Sequence, residues 1–378
     1  MKICFICSTP FPPREGIASH VWGLAQYLDR ERHQVIILTR RVPGSHSMDR
    51  YGKILVLRPA FLPIYPFHVH LHGIFVSLAL SRLGEGVDLI HYHSPLPAPV
   101  DAPIPALTTF HSMVSADVHK RKRNSPYEWA IWAQSKISFQ IERRLEEASQ
   151  ELTAVSDATA KDLRGLFPDL RKSVTTIPNG IDTDYFTPGA HPTGGTDFLL
   201  FVGRLDQGKG ILDLLKAMQL VWEKNPGLGL KVVGSGPLES TVREFADEMR
   251  WRGKVELLGQ LGPRELRDLY RNGLALVCPS LYESGPRVAL ESMSCGTPVI
   301  GTPVGLMADL VVDGQTGFVI PVHAPDALAE KIELLRGSKT LRKQMSAACR
   351  PSILQGYSLK TMGERYLQIY TRILAGQP

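Results

Sequence analysis

The sequence predicts an α/β protein built from two doubly wound, Rossmann-like domains. Three observations carry this. The chain has 378 residues, too many for one ordinary domain and suited to two of roughly 150–200 residues each. Short β-rich apolar runs alternate with helical patterns through both halves, the pattern of parallel sheets covered on both faces. Between Thr187 and Asp197 the chain reads TPGAHPTGGTD, where prolines and glycines interrupt the alternation and mark a domain boundary.

Taken in order, Ile3–Cys7 reads as the first strand. Ala18–Leu28 follows as a helix, because Val21, Leu24, Ala25 and Leu28 recur at i, i+3, i+4, i+7. Val35–Thr39, Ile54–Arg58, Leu89–Tyr92 and Leu107–Phe110 are further strands. Ser125–Ser149 is the clearest helix. Ser125 is its N-cap, Pro126 its first residue and Glu128 its capping-box partner. Ala133, Ile137, Ile141, Leu145 and Ala148 form its apolar face. Leu152–Val155 and Val174–Ile177 close this half. After the break the expected strands are Phe198–Val202, Leu230–Val233, Val255–Leu258, Leu274–Cys278, Pro298–Gly301 and Gly317–Ile320. Helices near Leu212–Trp222, Glu239–Met249, Arg264–Tyr270, Val288–Ser294 and Ala327–Leu335 separate them. Two such domains facing each other leave a cleft at the carboxyl ends of their strands, where ligands of such sheets bind.

Composition narrows the function classes. Hydrophobic residues make up 43 % and charged residues 21 %, ordinary for a globular protein. A formal net charge of +6 suits an anionic small molecule, an anionic membrane surface or nucleic acid, without choosing among them. Five scattered cysteines do not make a disulfide framework, so a reducing, cytoplasmic setting is expected. Cys4 and Cys7 have CxxC spacing, but a strand puts them on opposite faces, against a redox or metal role. The N-terminal apolar run is too short for a signal peptide, and no uninterrupted apolar stretch of 18 residues occurs.

Two segments carry the chemistry. In FLLFVGRLDQGKG a buried strand ends at Gly203, and Arg204 and Lys209 follow in a Gly-rich loop. Two cations at the carboxyl end of a parallel strand suit a diphosphate, Arg as a planar fork and Lys as a point charge. In CPSLYESGPRVALESMS the strand ends at Pro279, Glu283-Ser284-Gly285 form a loop, Pro286 fits the first helical position, and a helix runs on from Val288. Such a helix start offers unpaired N–H groups and a positive dipole end to an anion. Glu283 in the loop and Glu291 inside the helix are acceptors suited to sugar or ribose hydroxyls.

The stretch from Glu283 to Glu291 resembles the E-x7-E motif of the retaining family-4 glycosyltransferases of the GT-B fold. The continuation SMSCGTPVIGTPVG is similar to that family's, as are VGRLDQGKG, TTIPNGIDTDYFTP, VVGSGPL and VVDGQTGFVI. The resemblance covers essentially the whole chain and is densest from Asn179 to Val322. It implies an N-terminal acceptor-side domain over 1–188, a nucleotide-sugar domain over 196–356, and a last helix at about 357–378 that packs back on the first domain. It implies that Arg204 and Lys209 hold the donor diphosphate and stabilise the leaving group, and that Glu283 meets the transferred sugar and Glu291 the ribose. Backbone N–H groups around Gly285, Pro286, Arg287 and Val288 would face sugar or phosphate. His111, in TTFHS, matches a family histidine near the transferred sugar. His93 is expected to line the cleft, and Gly16 keeps a flexible position in the first loop. Two departures bear on the donor: Glu15 precedes Gly16 where many members have a second glycine, and Ser284-Gly285-Pro286-Arg287 replaces a Gly-Phe-Gly stretch.

The function expected is therefore retaining, metal-independent transfer of a sugar from a UDP- or GDP-type donor to an unidentified acceptor, a lipid or glycan precursor among the candidates. No cofactor is implied. A nucleotide-sugar epimerase on the same fold and a non-catalytic sugar-nucleotide-binding protein are the alternatives. Asp182-Thr183-Asp184 imitates a metal-binding DxD but falls in a turn. HVHLH at His68–His72 and HYH at His91–His93 alternate as zinc ligands on a strand would, yet no cysteine or carboxylate completes either set. VVGSGPL lacks the third glycine of a nicotinamide site. The basic run Lys120–Arg123, near Trp129 and Trp132, suits peripheral contact with an anionic membrane. No nucleic-acid recognition motif accompanies the basic residues.

Overall fold

The structure is a computed structural model that describes residues 1–376, apart from 12, 14, 15, 64–67, 84, 85, 96, 98, 114, 116–125 and 190–197, and apart from the side chains of 126–134. Glu15, Ser125, the basic run Lys120–Arg123 and most of the Pro/Gly break therefore lie outside the described residues, as do the side chains of Glu128, Trp129 and Trp132. The chain divides into two compact units, Met1–Gly180 with Leu359–Pro378, and Ile181–Ser358. The division falls before the Pro/Gly break because Ile181 and Phe186 already bury their side chains in the second unit's core. Ile181 N–H donates to Tyr357 C=O at 3.0 Å.

The first unit is a parallel sheet with one antiparallel edge. Its strands are β1 (Lys2–Cys7), β2 (Gln34–Leu38), β3 (Met48–Tyr51), β4 (Ile54–Leu57), β5 (Leu89–Ser94), β6 (Ala106–Phe110), β7 (Glu151–Ala154) and β8 (Val174–Thr176), in the order β3-β4-β2-β1-β5-β6-β7-β8. Every neighbouring pair is parallel except β3 with β4. Period-two alternation sorts β1 between two apolar layers. Cys4 and Ile6 join one, with Ile36, Ile90 and Phe110, while Ile3, Phe5 and Cys7 join the other. Burial pushes the Cys4 thiol up to about 12 and the Cys7 thiol to about 11, so both stay protonated and unreactive. Helices α1 (Gly16–Arg30), α2 (His68–Arg82), α3 (Pro126–Ala148) and α4 (Asp157–Leu166) connect the strands. HVHLH begins α2 and is helical, not extended. On a helix the i, i+4 pair His68 and His72 shares a face.

The second unit has the order β11-β10-β9-β12-β13-β14, parallel throughout, with β9 (Phe198–Val202), β10 (Gly229–Val233), β11 (Val255–Gly259), β12 (Leu276–Cys278), β13 (Val299–Gly301) and β14 (Gly317–Val319). Its helices are α5 (Ile211–Lys224), α6 (Glu239–Asp247), α7 (Pro263–Asn272), α8 (Arg287–Ser294), α9 (Met307–Leu310), α10 (Pro325–Gly337) and α11 (Lys339–Gly356). The last helix, α12 (Leu359–Leu374), belongs to the first unit. Met362, Tyr366, Ile369, Tyr370 and Ile373 form its buried stripe and pack with Ile3, Phe5, Val21 and Leu24.

Candidate active site

In the second unit, two loops at the carboxyl ends of β9 and β12 are locked together. After β9 the chain passes Gly203 and Arg204, and Asp206 then caps a short 3-10 turn, its side chain accepting from Lys209 N–H at 3.0 Å. Gly210 follows in the left-handed region at φ 69°, and a Cβ there would sit 1.9 Å from Pro279 O. Only glycine permits that approach. Leu281 N–H donates to Gly208 C=O at 2.8 Å, tying the β12 loop to the β9 loop. The same device recurs on the other side of Glu283. Gly305, at φ 57°, would place a Cβ 1.8 Å from Glu283 O, and Leu306 N–H donates to Ser284 C=O at 3.2 Å.

These constraints put the Lys209 ammonium in direct ion-pair contact with Glu283 Oε2, both side chains being partly buried. Arg204 stands apart from that pair. Its side chain is exposed and its guanidinium donates to Asp206. Pro286 is the N-cap of α8, not its first residue, because its ψ of 92° is extended. Arg287 and Val288 therefore open the helix. Arg287 reaches one turn along to Glu291 Oε1 at 3.4 Å, and Tyr270 OH donates to Glu291 Oε2 at 3.1 Å. Burial holds the Glu291 carboxyl above its usual range, while Arg287 and the Tyr270 bond pull it back. Tyr270 is itself raised well above the usual phenol value, by burial and then by the Glu291 charge. Glu291 is thus a desolvated acceptor with one donor on each oxygen.

The first unit gathers histidines at the carboxyl ends of β5 and β6. His91 and His93 share a face of β5, and pairing of His93 with Thr109 carries His111 to the same end of the sheet. His93 Nδ1 lies 3.2 Å from His111 Nε2. His20, one turn into α1 from Gly16, packs edge-on to His111 with ring centres 4.6 Å apart, and its Nδ1 lies 2.9 Å from Asn179 Oδ1. All four imidazoles are buried. Desolvation first, and the neighbouring imidazoles second, hold His91, His93 and His111 well below the usual histidine range, so all three are neutral near pH 7.

Of the residues singled out in the sequence, Lys209, Glu283, Gly285, Pro286, Arg287, Val288 and Glu291 come together in the second unit, with Arg204 at the start of the same loop. His93 and His111 come together in the first. Sequence reasoning missed Tyr270, Asp206, His20 and Asn179. The signal for His20 was a polar residue among the buried positions Ala18, Val21 and Leu24 of an amphipathic helix. Tyr270 carried no signal, since its role depends on α7 lying beside α8. Asp182 of the DxD-like triplet accepts the backbone N–H groups of Asp184 and Tyr185, both at 3.0 Å, as a turn residue does.

Two doubly wound parallel-sheet units of this order have the architecture of the GT-B glycosyltransferases. The family follows from two matches that together span most of the chain. A Glycosyltransferase Family 4 model matches residues 14–185 and a Glycosyl transferases group 1 model matches 188–350; the chain belongs to these glycosyltransferases. It is 27 % identical to glycogen synthase of Mycobacterium tuberculosis, over 100 % of this chain and 96 % of that one. Its fold is similar to sucrose-phosphate synthase from Thermosynechococcus elongatus (21 % identity, TM-score 0.84, 100 % of both chains). It is also similar to Anabaena HepE, solved with UDP and glucose (16 % identity, TM-score 0.74, 98 % and 99 % of the two chains).

Proposed function

We propose that this glycosyltransferase moves a hexosyl group from a nucleoside-diphosphate sugar to a hydroxyl acceptor, with retention of anomeric configuration and without a divalent metal in the donor step. The observation that carries the reading is the Lys209–Glu283 ion pair at the carboxyl ends of β9 and β12, beside the start of α8. Lys209 and Arg204 bind the donor diphosphate, and the α8 dipole adds positive potential. Glu283, released from Lys209 by the incoming phosphate, accepts hydrogen bonds from hydroxyls of the transferred sugar. Glu291, held by Tyr270 and Arg287, accepts from the ribose hydroxyls. The first unit, with Gly16, His93 and His111, serves the sugar and acceptor side.

In the reaction the bond from C1 of the sugar to the β-phosphate oxygen breaks, and its electron pair goes to the phosphate. Lys209 and Arg204 stabilise that charge as it develops. The acceptor oxygen attacks C1 from the same face and passes its proton to the departing phosphate oxygen. The histidines are neutral and donate or accept hydrogen bonds without adding charge. Supporting the donor class are the glycogen synthase likeness and the UDP and glucose bound to HepE.

Turnover against a panel of UDP-, GDP- and ADP-sugars, before and after exhaustive chelation, tests the reading. Undiminished transfer after chelation is expected. Complete loss restored by manganese or magnesium overturns the metal-free donor step, and absence of nucleoside-diphosphate binding overturns the donor site.

A further inference from the structure

We propose that His20, His93 and His111 form a binding site for one divalent transition-metal ion of the zinc class, and that its occupancy inhibits sugar transfer. The inhibitory half rests on the reading that His93 and His111 face the transferred sugar; the binding half does not.

One ligand nitrogen from each of the three buried rings lies within 4.8 Å of the other two. A tetrahedral zinc ion with bonds of about 2.0–2.1 Å separates its nitrogen ligands by roughly 3.4 Å. The pair His93 Nδ1 and His111 Nε2 is already at 3.2 Å. Closing the widest separation allowed takes inward shifts of at most about 0.8 Å per ring, within reach of small side-chain rotations. Three imidazoles leave the fourth tetrahedral position open.

The ligand chemistry selects the ion. Neutral imidazoles suit zinc, cobalt and nickel, whereas magnesium, calcium and manganese favour oxygen ligands. His93 and His111 are buried side by side, and an imidazole ligates through the lone pair of its neutral form. The hydrogen between His93 and His111 moves from the inter-ring bond to the outer nitrogen of the ring that donated it, so each ring stays neutral.

The surroundings hold the rings as metal sites hold theirs. Asn179 Oδ1, 2.9 Å from His20 Nδ1, selects the tautomer with the lone pair on Nε2. Beneath His93 lies His91, with ring centres 4.0 Å apart, and His91 is pinned by Tyr370 at 2.8 Å and Thr109 at 2.6 Å. Phe5 closes the other flank, its ring edge-on to His93 at 5.2 Å. An ion seated here takes the ring nitrogens that would otherwise meet the sugar, which is why occupancy and transfer compete.

The test titrates cobalt(II) into the full chain after removal of metals, reading the visible bands of four-coordinate cobalt. One ion per chain is expected, displaced by zinc and not by magnesium. His93→Asn and His111→Asn should each abolish the bands, and Asn179→Ala should weaken binding by about 10–100-fold. His68→Ala with His72→Ala, which removes the i, i+4 pair of α2, should leave the bands intact. Circular dichroism identifies any variant that has not folded, and His20→Asn then replaces it. Absence of stoichiometric binding, bands that survive the asparagine variants, or bands lost with the α2 pair overturn the site. Zinc that fills the site without lowering turnover overturns the inhibitory half. Failure of the donor-site reading shows separately, as absent binding of UDP, GDP and ADP with the cobalt bands in place.

Discussion

The phenol of Tyr370, on the last helix, lies 2.8 Å from Nδ1 of His91, whose opposite nitrogen lies 2.6 Å from Thr109 Oγ1. Both nitrogens of a fully buried imidazole are thereby satisfied. Tyr370→Phe leaves one of them without a partner, at a cost of about 1–3 kcal/mol. Denaturant unfolding should show a lowered midpoint with an unchanged slope. An unchanged midpoint would mean that water reaches the site and replaces the phenol.

Lys209→Ala should slow transfer about 100-fold, near 3 kcal/mol of transition-state stabilisation, while the melting temperature moves little, because the ion pair with Glu283 is only partly buried. Steady-state rates and a thermal melt on the same preparation check this. Near-normal turnover would reduce Lys209 to a surface lysine.

Glu283 and Glu291 should fail differently. Glu283→Ala should lose transfer and keep affinity for the bare nucleoside diphosphate. Glu291→Ala should weaken that nucleotide by roughly 1.5–3 kcal/mol, the worth of hydrogen bonds to a charged acceptor. Calorimetric titration separates the two. Equal nucleotide losses in both variants would reverse the donor orientation proposed here.

Glu291 also sets a pH dependence. Burial raises its carboxyl in the folded state above the ordinary glutamate value of 4.5, so between the two values the native chain holds a proton that the unfolded chain has released. Stability contributed by this group is greatest below 4.5 and is lost as pH rises through the folded value. Ribose binding needs the carboxylate and runs the other way, weakening as pH falls through that same window. Glu291→Gln should flatten both slopes; nucleotide affinity that stays as pH-dependent as in the parent chain would clear Glu291 of the effect.

Gly210→Ala puts a β-carbon 1.9 Å from Pro279 O in a left-handed backbone. The conformation alone costs roughly 1–2 kcal/mol, and the clash pushes the β9 loop off the β12 loop. Displacement of about 1 Å should cut turnover about 100-fold, measurable as a fall in kcat with the fold retained.

Much of this was legible because parallel strands buried on both faces are continuous apolar runs. Every strand read from the second half appears within a residue or two of its expected ends. What failed had physical causes. The edge strand β3, MDRY, is exposed and carries no apolar run. Helix α11 contains Pro351 in its interior, which argues against a helix in any local reading. The HVHLH alternation imitates a strand, and α2 is apolar nearly all round, so no amphipathic stripe corrected it. At the candidate site, motif order pointed to individual residues but not to their pairings. Lys209 meets Glu283 across 74 residues of sequence, and Tyr270 meets Glu291 across 21; both depend on the sheet order.

Placing α12 in the first unit has a consequence for biosynthesis. A ribosome delivers residues 1–180 first, yet the apolar layer that holds Ile3, Phe5, Val21 and Leu24 also includes Met362, Tyr366 and Ile373, which are made after the whole second unit. The second unit is complete in sequence by Ser358, before α12 of the first unit is made. Every nascent chain therefore carries that layer incompletely covered through the synthesis of its second half, and a message truncated before α12 yields a product that leaves part of it exposed. A chain that stops short of α12 thus marks itself to chaperones and proteases by the apolar surface it leaves uncovered.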